Sequence, residues 1–187
     1  MKEILRDKYS RIRDNIGGGF SRAAADKACA QLLSNPRVTE SEHILVYVST
    51  GSELPTLSLI KKLIEAGKKV YVPVMEDGVI SAARLIKGSD LEPGAYGIPE
   101  IPRSLRRCIE PGKLDAAIIP GVCFSTEGKR LGRGGGHFDR YLSKTQAYKI
   151  GLCYSRQLFE DIPEHEHDVR VDEVITEIPR EKLQKEE

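Results

Sequence analysis

The chain contains no tryptophan, four phenylalanines and two methionines, so aromatic contacts fall mainly to its seven tyrosines. Its four cysteines, Cys29, Cys108, Cys123 and Cys153, are widely scattered with no C-x-x-C pair. That excludes a disulfide framework and the common zinc spacings, and reads as reduced thiols of a cytoplasmic protein. No apolar run approaches the roughly 18 residues of a membrane span. The start, Met1-Lys2-Glu3-Ile4-Leu5-Arg6, lacks the apolar core of a secretory signal. Net charge is only +1, from dense charges of both signs, so no overall field favours nucleic acid or membrane as a partner. No internal repeat or composition shift marks a second domain, and 187 residues suit one domain with a sizeable core.

What is abundant is glycine, and it concentrates where cations do. Ala116-Ala117-Ile118-Ile119 reads as a buried strand, turning at Pro120-Gly121, with a polar turn at 125–129. Next come Arg130 and Leu131, and a loop carrying Gly132, Gly134, Gly135 and Gly136. Phe138, Tyr141 and Leu142 stand at i, i+3 and i+4, so the loop is expected to open a helix. Strand, glycine loop and helix start together suit a phosphate, because backbone N–H groups can approach the anion closely. Lys129, Arg130, Arg133 and Arg140 add cationic side chains, and Asp139 is the lone acid in the loop, suited to hold a divalent cation. The spacing is neither G-x-x-x-x-G-K-[ST] nor G-x-G-x-x-G. The cationic flanks favour an anion-binding loop over a flexible glycine turn.

Around this stretch the apolar pattern predicts alternating helices and strands. Lys2 to Asn15 has helical periodicity, with Lys2, Arg6, Lys8, Arg11 and Arg13 reading by themselves as a solvated face. Gly17-Gly18-Gly19 reads as a hinge or linker, and Ser21 as the cap of a helix running to about Leu33, stopped by Asn35-Pro36. Residues 44–48 form an expected strand, followed by a polar turn at 49–53 and a helix from about Pro55 to Ala66. Glu53 reads equally as a helix-start carboxylate or a functional group. Residues 70–74 are a further strand leading into a hairpin with its turn at Glu76-Asp77-Gly78. A long glycine- and proline-rich loop follows, including Tyr96 to Glu100. Residues 149–154 and 171–175 complete the strands, and the charged tail from Pro179 reads as a frayed helix. Glu164-His165-Glu166-His167-Asp168 reads as a solvated polar loop, since adjacent residues rarely converge on one ion. The sum is an α/β three-layer sandwich, a central mostly parallel sheet with helices on both faces.

The segment P-G-V-C-F-S-T-E-G-K-R-L-G-R-G-G-G-H-F-D-R-Y-L resembles the signature of the 5-formyltetrahydrofolate cyclo-ligases. Their pattern reads approximately P-G-x-x-F-x-x-x-G-x-R-L-G-x-G-x-G-Y-Y-D-R-x-L. His137 and Phe138 stand where that family usually has two tyrosines. Thinner likenesses extend over most of the chain: K-x-x-x-R at Lys2 and Arg6, E-x-x-T at Glu53, G-I-x-E at Glu100 (with Ile101 in place of a proline), Y-x-x-Q at Gln157 and V-D-x-V at Asp172.

The resemblance implies cyclisation of 5-formyltetrahydrofolate to 5,10-methenyltetrahydrofolate, dependent on ATP and Mg²⁺, through a phosphorylated formyl group. It implies ATP contacts at Lys2, Arg6, Arg130, Leu131, Gly132, Arg133, Gly134, Gly135, Gly136, His137 and Phe138. Reduced-folate contacts would come from Val48, Glu53, Arg133, Gly134, Gly135, Gly136 and His137, and magnesium from Asp139 and Asp172. Arg133, His137 and Asp139 would be the catalytic set. Such phosphoryl transfer needs positioning and charge neutralisation more than a protein nucleophile, and no Ser-His-Asp or Cys-His pair stands out. The expected partners are the folate substrate alone, without nucleic acid or membrane, in a monomer or weak dimer. Two alternatives stay open on the sequence: a paralogue that uses ATP on another pterin or amide, and a nucleotide-binding regulator without chemistry.

Overall fold

The computed structural model describes residues 2–94 and 97–183. Tyr96 and the last four residues of the tail, both noted in the sequence, lie outside the described residues.

Helix α1 (Lys2–Asp14) is followed by α2 (Gly18–Ser34), the short α3 (Pro36–Thr39), strand β1 (His43–Val46) and α4 (Leu57–Glu65). The chain continues through β2 (Lys69–Glu76), β3 (Val79–Arg84), β4 (Glu92–Pro93), β5 (Pro99–Glu100), β6 (Cys108–Ile109) and β7 (Ala116–Ile119). It ends with β8 (Cys123–Ser125), β9 (Arg130–Leu131), α5 (His137–Leu142), β10 (Tyr148–Leu152), β11 (Leu158–Phe159), β12 (Glu173–Ile175) and α6 (Arg180–Leu183).

The main sheet has the order β12-β10-β7-β1-β2-β3-β6. β12, β10, β7, β1 and β2 run parallel, and β3 and β6 form an antiparallel edge. The parallel strands are buried on both faces, which is why they read as unbroken apolar runs. Alternation divides their side chains. Ile44, Val46, Ile118 and Ile150 pack with α2 and α4 through Ala28, Leu32, Leu59 and Leu63. Leu45, Ala117 and Ile119 pack on the other face with Phe124 and with Tyr141 and Leu142 of α5. The expected α/β architecture with helices on both faces is therefore present. No described helix is long and apolar enough to cross a membrane.

Two local expectations change. The second helix begins at Gly18, not at Ser21, and Gly17 occupies its N-cap without a side-chain bond. Ser21 is inside the helix, its hydroxyl 2.7 Å from the Tyr154 hydroxyl. Two of the three glycines expected as a hinge are thus helical, held by packing of the helix they open. The polar turn at 125–129 also proves to be the tip of a hairpin. β8 pairs with β9 and, on its other side, with β11, forming a second small sheet. Helix α1 packs there, with Tyr9 stacked on Phe159 at 4.2 Å between ring centroids and buried beside Leu131 and Cys123. The β2–β3 hairpin has the two-residue turn its Asp-Gly suggests, with φ of 48° at Asp77 and 77° at Gly78.

Candidate active site

β1 is flanked by β2 on one side and β7 on the other, so successive crossovers leave it in opposite directions. In open α/β sheets ligands bind beyond the carboxyl ends of the strands at such a switch point. Here a cavity of about 420 Å³ opens there. Its floor is Tyr47 and Val48 beyond β1 and Pro120-Gly121 beyond β7. One wall is the loop and helix start from Arg130 to Asp139; the other, more apolar, is Pro73, Val74, Met75, Ile80, Ile98 and Glu100. Gln157 fixes the floor from below, donating its amide to Val122 O at 2.8 Å and Gly121 O at 3.2 Å.

The cationic end is built around Arg130. This buried guanidinium donates from NH2 to Asp139 Oδ1 at 2.7 Å and from NH1 to Pro120 O at 3.3 Å, while its Nε is buried without a partner among the described residues. The loop glycines let guanidinium and imidazole groups lie against bare backbone. A Cβ on Gly132 would meet Arg130 NH1 at 3.0 Å, and one on Gly135 would meet the His137 ring at 2.6 Å. Gly134 and Gly136 hold φ of 109° and 64°, where a side chain is strained. Arg140 closes the turn by donating to Gly135 O at 3.0 Å. His137 Nδ1 lies 2.9 Å from Gly78 O, joining the loop to the β2–β3 turn. Helix α5 has six residues, so its contribution as a dipole is small; the guanidinium groups supply the positive charge.

At the opposite side Glu53 is buried, with Oε1 accepting from Arg133 NH2 at 2.6 Å and Oε2 from Thr50 N at 3.0 Å. Arg13 of α1 stands 4.0 Å from Oε1 and donates to Ser52 Oγ at 2.9 Å. Glu53 is not a helix-start carboxylate: α4 begins four residues later, and Ser49 and Thr56 exchange hydrogen bonds at its start. Arg133 remains 58% exposed while making this contact, so its guanidinium is accessible from the cavity.

Val48, Glu53, Arg130, Gly132, Arg133, Gly135, Gly136, His137, Phe138 and Asp139 all line one cavity. Five expected residues do not. Leu131 turns its side chain away into the cluster beneath α1, leaving only its backbone to the loop. Gly134 backs onto Arg6, and Arg6 donates to Gly132 O at 2.9 Å, bracing the loop from outside. Lys2 is buried in an ion pair with Asp168. Asp172 does not stand beside Asp139. It is exposed at the start of β10 and β12, where its carboxylate accepts from Lys149 N at 2.7 Å. That is the amino edge of the parallel strands, opposite the cavity.

What the chain brings beside Asp139 is the segment four residues earlier: Val169 N donates to Asp139 Oδ1 at 3.1 Å, directly after Asp168. Burial opposes the charge on Asp168, yet the Lys2 ammonium and the His165 amide hold its carboxyl below the usual range. The polar 164–168 loop is thus solvated only in part; Glu164 pairs with Arg170, and His165, Glu166 and His167 are exposed. No spacing distinguishes Asp168 from Asp172 in the sequence, since both lie in the same short extended stretch. Among the described residues no group of three His, Cys, Asp or Glu side chains converges as a metal cage. A magnesium ion held through one or two carboxylates and its ligand's phosphates needs no such cage. Asp139 on the cavity wall suits that mode, and the Arg130 Nε, without a partner among the described residues, suits an anion.

The match to known proteins agrees with this geometry. Residues 1–177 match the model of the 5-formyltetrahydrofolate cyclo-ligase family. A probable 5-formyltetrahydrofolate cyclo-ligase of Caenorhabditis elegans is 32% identical, over 95% of this chain and 93% of its own. The 5-formyltetrahydrofolate cyclo-ligase of Escherichia coli is 34% identical, over 80% of this chain and 86% of its own. The solved structure of Aquifex aeolicus 5,10-methenyltetrahydrofolate synthetase superposes with a TM-score of 0.86 at 32% identity, covering 94% of this chain and 89% of that one.

Proposed function

The chain belongs to the 5-formyltetrahydrofolate cyclo-ligase family, and from that premise we propose that it closes 5-formyltetrahydrofolate to 5,10-methenyltetrahydrofolate at the expense of ATP. The formyl oxygen is a poor leaving group. Transfer of the γ-phosphoryl to it gives an imino phosphate and ADP; N10 then attacks the activated carbon, its proton is lost and phosphate departs. Magnesium supplies charge neutralisation at the phosphates when bound.

The protein's own part is positioning and electrostatics. Arg130, Arg133 and the amides of Gly132 to Gly136 hold the phosphates, with Phe138 beneath them. Asp139, assisted by Asp168 and not by Asp172, holds the cation side. Arg6 and Lys2 act from behind, bracing Gly132 and the Asp168 segment. Val48 and Glu53 take the folate, and His137 offers a ring nitrogen near the reacting groups. The free thiols Cys29, Cys123, Cys153 and Cys108 support a reducing, cytoplasmic setting.

The observation that carries this reading is the buried, unpartnered Nε of Arg130 beside Asp139 on a glycine-lined cavity wall. The test is purified protein with Mg-ATP and 5-formyltetrahydrofolate, following methenyltetrahydrofolate absorbance in the near ultraviolet. A growing band that is lost in Asp139→Ala is expected. No band from the wild-type protein, with ATP still bound, would sink the folate assignment.

A further inference from the structure

The cavity holds three carboxylates, and two are accounted for. Glu53 has both oxygens engaged by Arg133 and Thr50, and Asp139 sits at the cationic end with Arg130. The third, Glu100, stands on the far wall among Met75, Ile80 and Ile98, where nothing in the phosphoryl chemistry calls for an acid.

Glu100 is placed by three separate constraints. β5 pairs with β4 so that Glu100 lies opposite Glu92. Gly94 allows the close approach: a Cβ there would stand 2.7 Å from Glu100 Cγ and 2.7 Å from Ile98 O. Arg106 NH2 donates to Glu100 Oε2 at 3.0 Å and Arg106 Nε to Ile101 O at 2.9 Å. Glu100 is 13% and Arg106 12% exposed, and Arg106 NH1 is buried with no partner among the described residues. An ion pair this enclosed and this incompletely satisfied is a poor source of stability compared with apolar residues of the same volume. Glu100 lines the cavity with Oε2 held by Arg106, and among the described residues its Oε1 accepts no hydrogen bond, leaving an acceptor to offer.

We propose that Glu100 reads the hydrogen-bond donors of the substrate's fused heterocycle, its 2-amino and N3–H edge, and that Arg106 is its positioning residue. This rests on the folate reading above and deepens it. A flat ring on the apolar wall made by Met75, Ile80 and Ile98 presents that edge to Glu100, and a site built to accept from N–H groups rejects an analogue that lacks them. Arg106 holds Oε2 and so fixes the direction of Oε1.

Two measurements test it together. The first compares the Michaelis constants for the folate substrate and for ATP between wild-type protein and Glu100→Gln. A rise of about 10-fold or more in the folate constant is expected, the usual scale for losing a charged hydrogen bond, with the ATP constant unchanged. The second compares, in both proteins, binding of the folate substrate and of its analogue without the 2-amino group. Wild-type protein is expected to bind the analogue about 10-fold more weakly, and Glu100→Gln to bind the two alike. Arg106→Lys should restore part of the apparent folate affinity that Arg106→Ala loses. If wild-type protein converts the folate but binds parent and analogue equally, or if Glu100→Gln still discriminates between them, Glu100 is not the reader and the proposed function stands without it. If wild-type protein neither binds nor converts the folate, both fall.

Discussion

Asp139 and Asp172 carry the same carboxylate, yet one touches a buried arginine at the cavity and the other caps a strand at the far edge of the sheet. Asp139→Asn should lower kcat by about 100-fold, the scale of losing a preorganised charge in the transition state. Asp172→Asn should leave initial rates within about 2-fold and show itself only as a small loss of melting temperature, through the Lys149 amide. Equal losses of activity in both variants would return Asp172 to the site. The sequence made Asp139 legible because a lone acid stood inside a cationic glycine loop, a local signal. It could not separate Asp168 from Asp172, because which of them meets the loop depends on where a turn brings the extended chain past α5. Glu100 was legible only as part of a motif, since its neighbours Arg106 and Gly94 are recruited from outside that motif. The same dependence on burial applies to the thiols. Cys108 is exposed, whereas Cys29, Cys123 and Cys153 are buried. Native protein should therefore incorporate one iodoacetamide, at Cys108, as read by peptide mass spectrometry, and label at Cys123 would contradict its packing.

Elements whose pairing is encoded in their own residues were readable, and elements made by distant partners were not. β1, β2, β7 and β10 announced themselves as short runs of buried apolar residues, and the β2–β3 hairpin through Asp77-Gly78. β8, β9 and β11 have two or three residues each, too short to show a pattern: β8 and β9 close a small hairpin, and β11 joins β8 from far along the chain, which no window of sequence displays. The start of α2 was misplaced for a related reason. Glycine is among the weakest helix formers, yet packing of Ala24, Ala25, Ala28 and Leu32 carries the helix back through Gly19 and Gly18. Neither glycine has a positive φ, and a Cβ at either meets nothing within 4 Å. Gly18→Ala and Gly19→Ala should each stabilise the protein by up to about 1 kcal/mol in denaturant titrations. Were the glycines a working hinge between α1 and the rest, the same substitutions would instead lower turnover at unchanged or higher stability.

At the scale of the whole molecule, two buried titratable groups, Tyr141 of α5 and Cys123 beneath α1, set an alkaline limit. Burial pushes the Tyr141 phenol up to about 12 from an ordinary 10.0, with Cys108 adding to the shift. Burial likewise pushes the Cys123 thiol up to about 12 from 9.0. Both folded-state values are raised, so the folded protein binds these protons more tightly than the unfolded chain. Their contribution to stability is complete below about pH 9. It declines as pH rises through the unfolded values and is gone above about pH 12, where both states are ionised. Melting temperature should thus fall steadily above pH 9. Tyr141 offers the cleaner test, because its hydroxyl is buried with no partner among the described residues. Tyr141→Phe removes a desolvated polar atom without leaving a cavity, so it should be neutral or stabilising at pH 7. It should also flatten the decline between pH 10 and 12, the interval between the phenol's two values. A variant less stable than wild type at pH 7 would mean that the hydroxyl has a partner after all, and an unchanged alkaline slope would place the limit in Cys123 or in the global charge.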